Sequence, residues 1–200
     1  MADDAAALLT ALGIGRAHVV GASMGGMITQ ALVINHPDRF LSACSIMSTT
    51  GDRSVGAPTG EAMTALLRPV ATSRDEAIEA SLKGSRVIGS PGYPADEAVL
   101  RQRAGEAYDR SYCPDGTARQ LAAILASPDR TEGLRGVRLP FLVLHGEADP
   151  LVTPSGGQAT AAAVPGSKLI TLPGMGHDLP EALWGQVTDA IVANTELASV

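Results

Sequence analysis

Four short, mostly apolar runs, each set between helical stretches, constrain this chain more than any other feature. They cover residues 17–22, 40–47, 139–145 and 168–172. All are too short for helices, and Val19 and Val20 make the first β-branched at its centre. Strands that read as continuous apolar runs, rather than as alternations, belong to parallel sheets covered on both faces. Between the runs the period changes. Ala5, Leu8, Leu9 and Leu12 fall on one face of a first helix, with Asp3 or Asp4 as its cap and Gly13 and Gly15 at its end. From Met24 the pattern is helical again, with Met27, Ile28, Ala31 and Leu32 on one side, until His36-Pro37 stops it. Residues 155–164 and 180–197 predict two more helices, the last with Leu183, Val187, Ala190 and Ile191 inward. The class is α/β with a parallel sheet.

Residues 49–136 differ from both flanks. They are Ala-rich, carry most of the Arg, and break at Pro58, Pro69, Pro91, Pro94, Pro114 and Pro128. Helices are predicted over 73–83, where Ser73-Arg-Asp-Glu76 has the form of a capping box, over 96–108 and over 117–125. The stretch reads as a helical lid inserted into the sheet domain, which it divides into segments 1–48 and 137–200.

With 45% hydrophobic and 18% charged residues in 200, the bulk is folded, and a chain of this length buries about 70% of its unfolded surface. Aromatics are only 3%, so the core must come from Leu, Ile, Val, Met and Ala. The net charge is −6 and no Lys/Arg run occurs, so neither nucleic acid nor anionic membrane finds its electrostatic footprint. Cys44 and Cys113 are too few and too far apart for a disulfide scaffold or a zinc site, and Cys44 reads as a small buried hydrophobe. The acidic start, Met1-Ala2-Asp3-Asp4, is not a signal peptide, and no apolar stretch approaches the ~20 residues of a membrane helix. The expectation is a cytoplasmic protein.

Gly21-Ala22-Ser23-Met24-Gly25 matches G-x-S-x-G, a weak pattern by itself. Its context raises it, because an apolar strand enters the motif directly and a helix leaves it directly. So tight a turn asks for almost no side chain at Gly21, Gly25 and Gly26. Ser23 then stands at the strand's carboxyl end, and the Met24 amide, at the helix N-terminus, points where an oxyanion would form. A serine hydroxyl needs a base, and the base an orienting carboxylate. Two later strands end in loops that supply them: Gly146-Glu147-Ala148-Asp149-Pro150 and Pro173-Gly174-Met175-Gly176-His177. Open parallel sheets gather such loops outside their carboxyl ends, so Asp149 and His177 are the candidates. Glu147 competes for the role of acid, Asp52 is a distant third, and Asp178 adjoins the base but points away. His18, His36 and His145 read as structural. Met24, Met27, Met175, Tyr93, Tyr108, Tyr112 and Trp184 read as packing.

Ser23 in GASMGG, Asp149 in HGEADPLV and His177 in PGMGHDLP resemble the α/β-hydrolase family, and within it serine esterases of the aclacinomycin methylesterase type. The resemblance covers nearly the whole chain. It implies hydrolysis of a small to medium apolar ester through an acyl-enzyme, with no metal and no organic cofactor. A serine at the elbow separates the chain from the aspartate- and cysteine-nucleophile branches. Strands that precede the elbow in the family have no counterpart before it here, nor has the loop, often an H-G motif, that gives the second oxyanion amide. Losing one such donor costs ~3 kcal/mol of barrier. The elbow strand is then expected to show an open apolar edge that pairs with another chain, giving a homo-oligomer. The alternative to an esterase is a truncated, weakly active form serving as an oligomeric or small-molecule-binding module.

Overall fold

A computed structural model describes residues 1–67 and 69–198; residue 68 of the lid and the last two residues of segment 137–200 lie outside it. Helix α1 (Ala2–Ala11) leads to β1 (Ala17–Ala22), α2 (Met24–Asn35) and β2 (Phe40–Ile46). Five helices follow: α3 (Gly60–Leu66), α4 (Arg74–Ile88), α5 (Glu97–Arg110), α6 (Pro114–Ala126) and the single turn α7 (Thr131–Leu134). The chain closes with β3 (Phe141–Gly146), α8 (Pro154–Ala163), β4 (Lys168–Leu172) and α9 (Trp184–Glu196). The four strands form one parallel sheet in the order β1-β2-β3-β4.

The apolar runs are explained by what lies on each side. On one face Ala43, Phe141 and Val143 pack with Leu32, Val33 and Leu134. On the other, Cys44, Leu142 and Leu144 pack with Leu172, Leu183 and Val187. Successive strand residues point to opposite faces, so a strand buried on both must be apolar at every position. Burial also raises the Cys44 thiol pKa to about 12, leaving it a hydrophobe. Asn194 of α9 closes the second face by donating to the Ala43 carbonyl at 3.0 Å.

Several local expectations shift. The buried side of α1 is Ala6, with Ala2, Ala5 and Leu9 beside it, while Leu8 and Leu12 are 58% and 63% exposed. Residues 2, 5, 6 and 9 have the same i, i+3, i+4, i+7 spacing as the expected set, and theirs is the stripe that faces the core. Neither aspartate caps it: Met1 is the N-cap, Asp3 accepts from His36 at 2.8 Å and Asp4 pairs with the terminal amine. In α2 the buried face includes Thr29 and Gln30. Gln30 accepts from the buried Arg130 at 3.0 Å, and Arg130 also donates to Ser127 Oγ and the Pro128 and Thr49 carbonyls. That guanidinium ties the chain returning from the lid to the end of β2.

In the lid, α4 runs five residues past its predicted end, α6 begins at Pro114, and α3 and α7 were not anticipated. Ser73 does cap α4, accepting from the Glu76 amide at 3.2 Å, but the Glu76 carboxylate reaches Thr72 instead of Ser73. Among the described residues β1 pairs only with β2, its outer edge is open, and Val20 is 47% exposed. No described helix is long and apolar enough to cross a membrane.

Candidate active site

The site begins with a backbone strain. Ser23 has φ 55° and ψ −119°, a left-handed φ that non-glycine residues seldom adopt. Its amide still donates to the Ile46 carbonyl at 2.8 Å, as if β1 continued, and the next residue opens α2. The bend requires contact that a side chain would forbid. A Cβ on Gly21 would lie 2.1 Å from the Gly25 carbonyl oxygen, and one on Gly26 would lie 2.5 Å from Ser48 Cβ. Gly25 departs from expectation, since a Cβ there meets nothing within 4 Å; it contributes its carbonyl, against which Gly21 packs.

The structure brings Ser23, His177 and Asp149 together from loops after β1, β4 and β3. His177 Nε2 lies 2.8 Å from Ser23 Oγ, and His177 Nδ1 lies 2.7 Å from Asp149 Oδ2. A carboxylate only accepts, so Nδ1 carries the ring proton and Nε2 is left free to accept from the serine hydroxyl. The Asp149 side chain is fully buried, and the cost of burying it is offset by three donors. Besides the imidazole, the Leu151 and Val152 amides each donate to Oδ1 at 2.9 Å. Backbone bonds fasten the two loops to each other: the Glu147 amide donates to the Leu172 carbonyl, and the Ala148 amide to that of Met175. A Cβ on Gly146 would lie 2.2 Å from the Met175 oxygen, so this position too is held to glycine.

The competing acids stand elsewhere. Glu147 accepts from Thr171 Oγ1 at 2.7 Å, Asp52 from Ser54, and Asp178 from Ser90. His18 pairs with Ser42 and His36 with Asp3, away from the triad. Met24 opens α2, with its amide the first of that helix. Met175 is fully buried packing, and Tyr108 stacks on Tyr112 with centroids 4.6 Å apart.

His145 is closer to the chemistry than its sequence position suggested. It is 1% exposed, donates from Nε2 to the Val152 carbonyl at 2.7 Å, and lies 3.7 Å from Asp149 Oδ2. Burial pushes its pKa below the ordinary histidine value, outweighing the raising effects of Val152 and Asp149. Sequence reasoning also missed Ser90, which bonds to the backbone of the base loop. A serine in Gly89-Ser-Pro-Gly92 carries no signal beyond that of a turn.

A hydrogen-bonded serine, histidine and aspartate at the carboxyl edge of a parallel sheet define the class: an α/β fold carrying triad geometry on its strand-end loops. The chain belongs to the α/β-hydrolase fold family, whose model matches residues 1–181. It is 28% identical over 220 residues to a rhodomycin D methylesterase of Streptomyces peucetius, covering 100% of this chain and 74% of that one. Over 182 residues it is 30% identical to a carbamate hydrolase, so named provisionally, of Caulobacter, covering 88% of this chain and 64% of that one. Among solved structures, an esterase of Rhodococcus superposes with a TM-score of 0.75 at 24% identity, over 98% of this chain and 72% of that one.

Proposed function

We propose that this chain is a serine esterase acting on small to medium apolar carboxylic esters through an acyl-enzyme. The observation that carries the reading is the continuous hydrogen-bonded line from Ser23 through His177 to Asp149, at 2.8 and 2.7 Å. Ser23 Oγ attacks the acyl carbon while its proton passes to His177 Nε2. Asp149 holds the ring in the productive tautomer and stabilises it once it is protonated. The Met24 amide donates to the oxyanion. Collapse of the tetrahedral intermediate expels the alcohol, which takes the proton from His177, and water then repeats the cycle on the acyl-Ser23 ester.

The lid and the relatives support this substrate class. A cavity of about 390 Å³ lies among lid residues such as Leu66, Ile88 and Leu121, and it reaches Leu151 of the acid loop. Its described lining is apolar apart from Thr117 and the phenol of Tyr112, whose hydroxyl donates to the Ala71 carbonyl. Such a lining suits hydrocarbon, and the cavity borders the triad through Leu151 and through Ile88, whose carbonyl accepts from the His177 amide, although Ser23 itself does not line it. The similarity to a rhodomycin D methylesterase adds methyl esters to the first substrates to try. Turnover of p-nitrophenyl butyrate and of methyl esters, lost on Ser23→Ala, supports the reading. Equal turnover by wild type and Ser23→Ala ends it.

The open edge of β1 favours a second reading, in which the chain works as an oligomer of its own copies. The strand carries no lysine, proline or acidic side chain to block edge pairing, and two such edges match each other across a two-fold axis. Sedimentation velocity should show a dimer or larger species, dispersed by Val20→Lys. A folded wild-type monomer at tens of micromolar removes this reading.

A further inference from the structure

Where the end of α4 meets the loop that carries His177, two backbones approach more closely than side chains permit. A Cβ on Gly92 would lie 2.9 Å from Gly174 Cα, and one on Gly176 would lie 2.3 Å from the Gly89 oxygen. The Gly92 amide donates to the Gly174 carbonyl at 2.9 Å, and the His177 amide to the Ile88 carbonyl at 2.7 Å. Between these bonds sits Ser90, 5% exposed. Its Oγ accepts from the Gly176 amide at 2.8 Å and donates to Asp178 Oδ1. One hydroxyl therefore holds the residues on both sides of His177, while Ile88 holds the amide of His177 itself. All three anchors come from the lid.

We propose that Ser90 and Asp178 are positioning residues that latch the base loop to the lid, so that the placement of His177 depends on the lid being seated. The proposal rests on the reading of His177 as the base. The lid is bound to the acid loop as well, because the Thr59 amide donates to the Pro150 carbonyl at 2.9 Å. Both partners of Ser23 are thus held from the segment that lines the apolar cavity. A substrate that seats or lifts the lid then changes the alignment of the base, and catalysis is sensitive to displacements of about 1 Å. Asp178, which adjoins the base in sequence, acts through Ser90 and makes no contact of its own with the imidazole.

The test compares wild type with Ser90→Ala, Asp178→Ala and Asp178→Asn. Ester turnover is measured alongside hydrogen exchange of the His177 amide. The asparagine keeps an acceptor for the Ser90 hydroxyl. Ser90→Ala and Asp178→Ala should lower kcat by about 10- to 100-fold with little change in KM, and should speed exchange at His177. Asp178→Asn should restore most of both. Wild-type kcat and wild-type exchange in Ser90→Ala would overturn the latch, as would Asp178→Asn behaving like Asp178→Ala. Should Ser90→Ala fail to fold, the two Asp178 variants decide the matter between them. Should wild type hydrolyse no ester, the exchange readout still decides the latch, and it is the esterase reading that fails.

Discussion

Every residue of β3, six in a row, is buried, whereas α6 in the lid is thirteen residues long and buries none. Among the described residues the lid offers only a few buried apolar side chains, such as Ala62, Ile78 and Leu82. Two of its helices, α4 and α5, are joined by exposed ion pairs, Arg74 with Asp109 at 2.8 Å and Arg101 with Glu79 at 2.6 Å. Exposed pairs gain little, because water screens them and two long side chains must be ordered. Elements with few buried apolar contacts open first, so segment 49–136 is expected to open before the sheet does. The triad hangs from the sheet yet touches the lid at two loops, and that division of labour is what the following experiments probe.

The largest effect belongs to the sheet-borne triad. His177→Ala should lower kcat/KM by about 10³-fold or more and Asp149→Asn somewhat less, with unfolding midpoints near wild type. Loss of activity in step with loss of fold would mean that these residues act as packing. Next comes the sheet itself: Phe141→Ala should cost about 3–5 kcal/mol in urea unfolding. If it costs no more than a surface change, the contrast between sheet and lid is wrong.

A smaller effect separates the two regions by pH. Burial holds the His145 pKa below its ordinary value in the folded chain, whereas the unfolded chain takes up a proton below about pH 6.5. The unfolded state therefore binds more protons, and stability falls as pH drops below that value, until the depressed folded pKa is reached. His145→Gln, followed by urea midpoints across the acid range, should flatten that slope. The smallest effect lies on the lid surface. Arg74→Gln should leave the unfolding midpoint almost where it was, although Arg74 makes two hydrogen bonds to Asp109.

The same contrast explains what the sequence disclosed. The strands and the three triad loops were legible because each is a local pattern: an apolar run ending in a glycine turn, with one chemical residue at a fixed place. Ser23, Asp149 and His177 needed only the rule that parallel strands gather their loops at one end. The lid was harder. Most of its prolines mark only breaks, Pro114 opens α6 three residues before the predicted start, and α3 begins on a Thr59–Gly60 step that resembles a loop. In α1 two overlapping stripes share the helical spacing, and the structure buries the one with Ala2, Ala5, Ala6 and Leu9, not the one with Leu8 and Leu12. The contacts of Ser90 left no signal because they join segments remote in sequence, and those of His145 because Val152 and Asp149 lie beyond the end of its strand.

A working triad requires Ser23 to be a reactive hydroxyl next to its base, and covalent labelling tests that most directly. Intact-mass and peptide mass spectrometry after treatment with a fluorophosphonate should place a single adduct on Ser23, and its formation should be suppressed in His177→Ala. A folded wild-type chain that takes up no probe, or takes it up on another residue, would contradict the central claim.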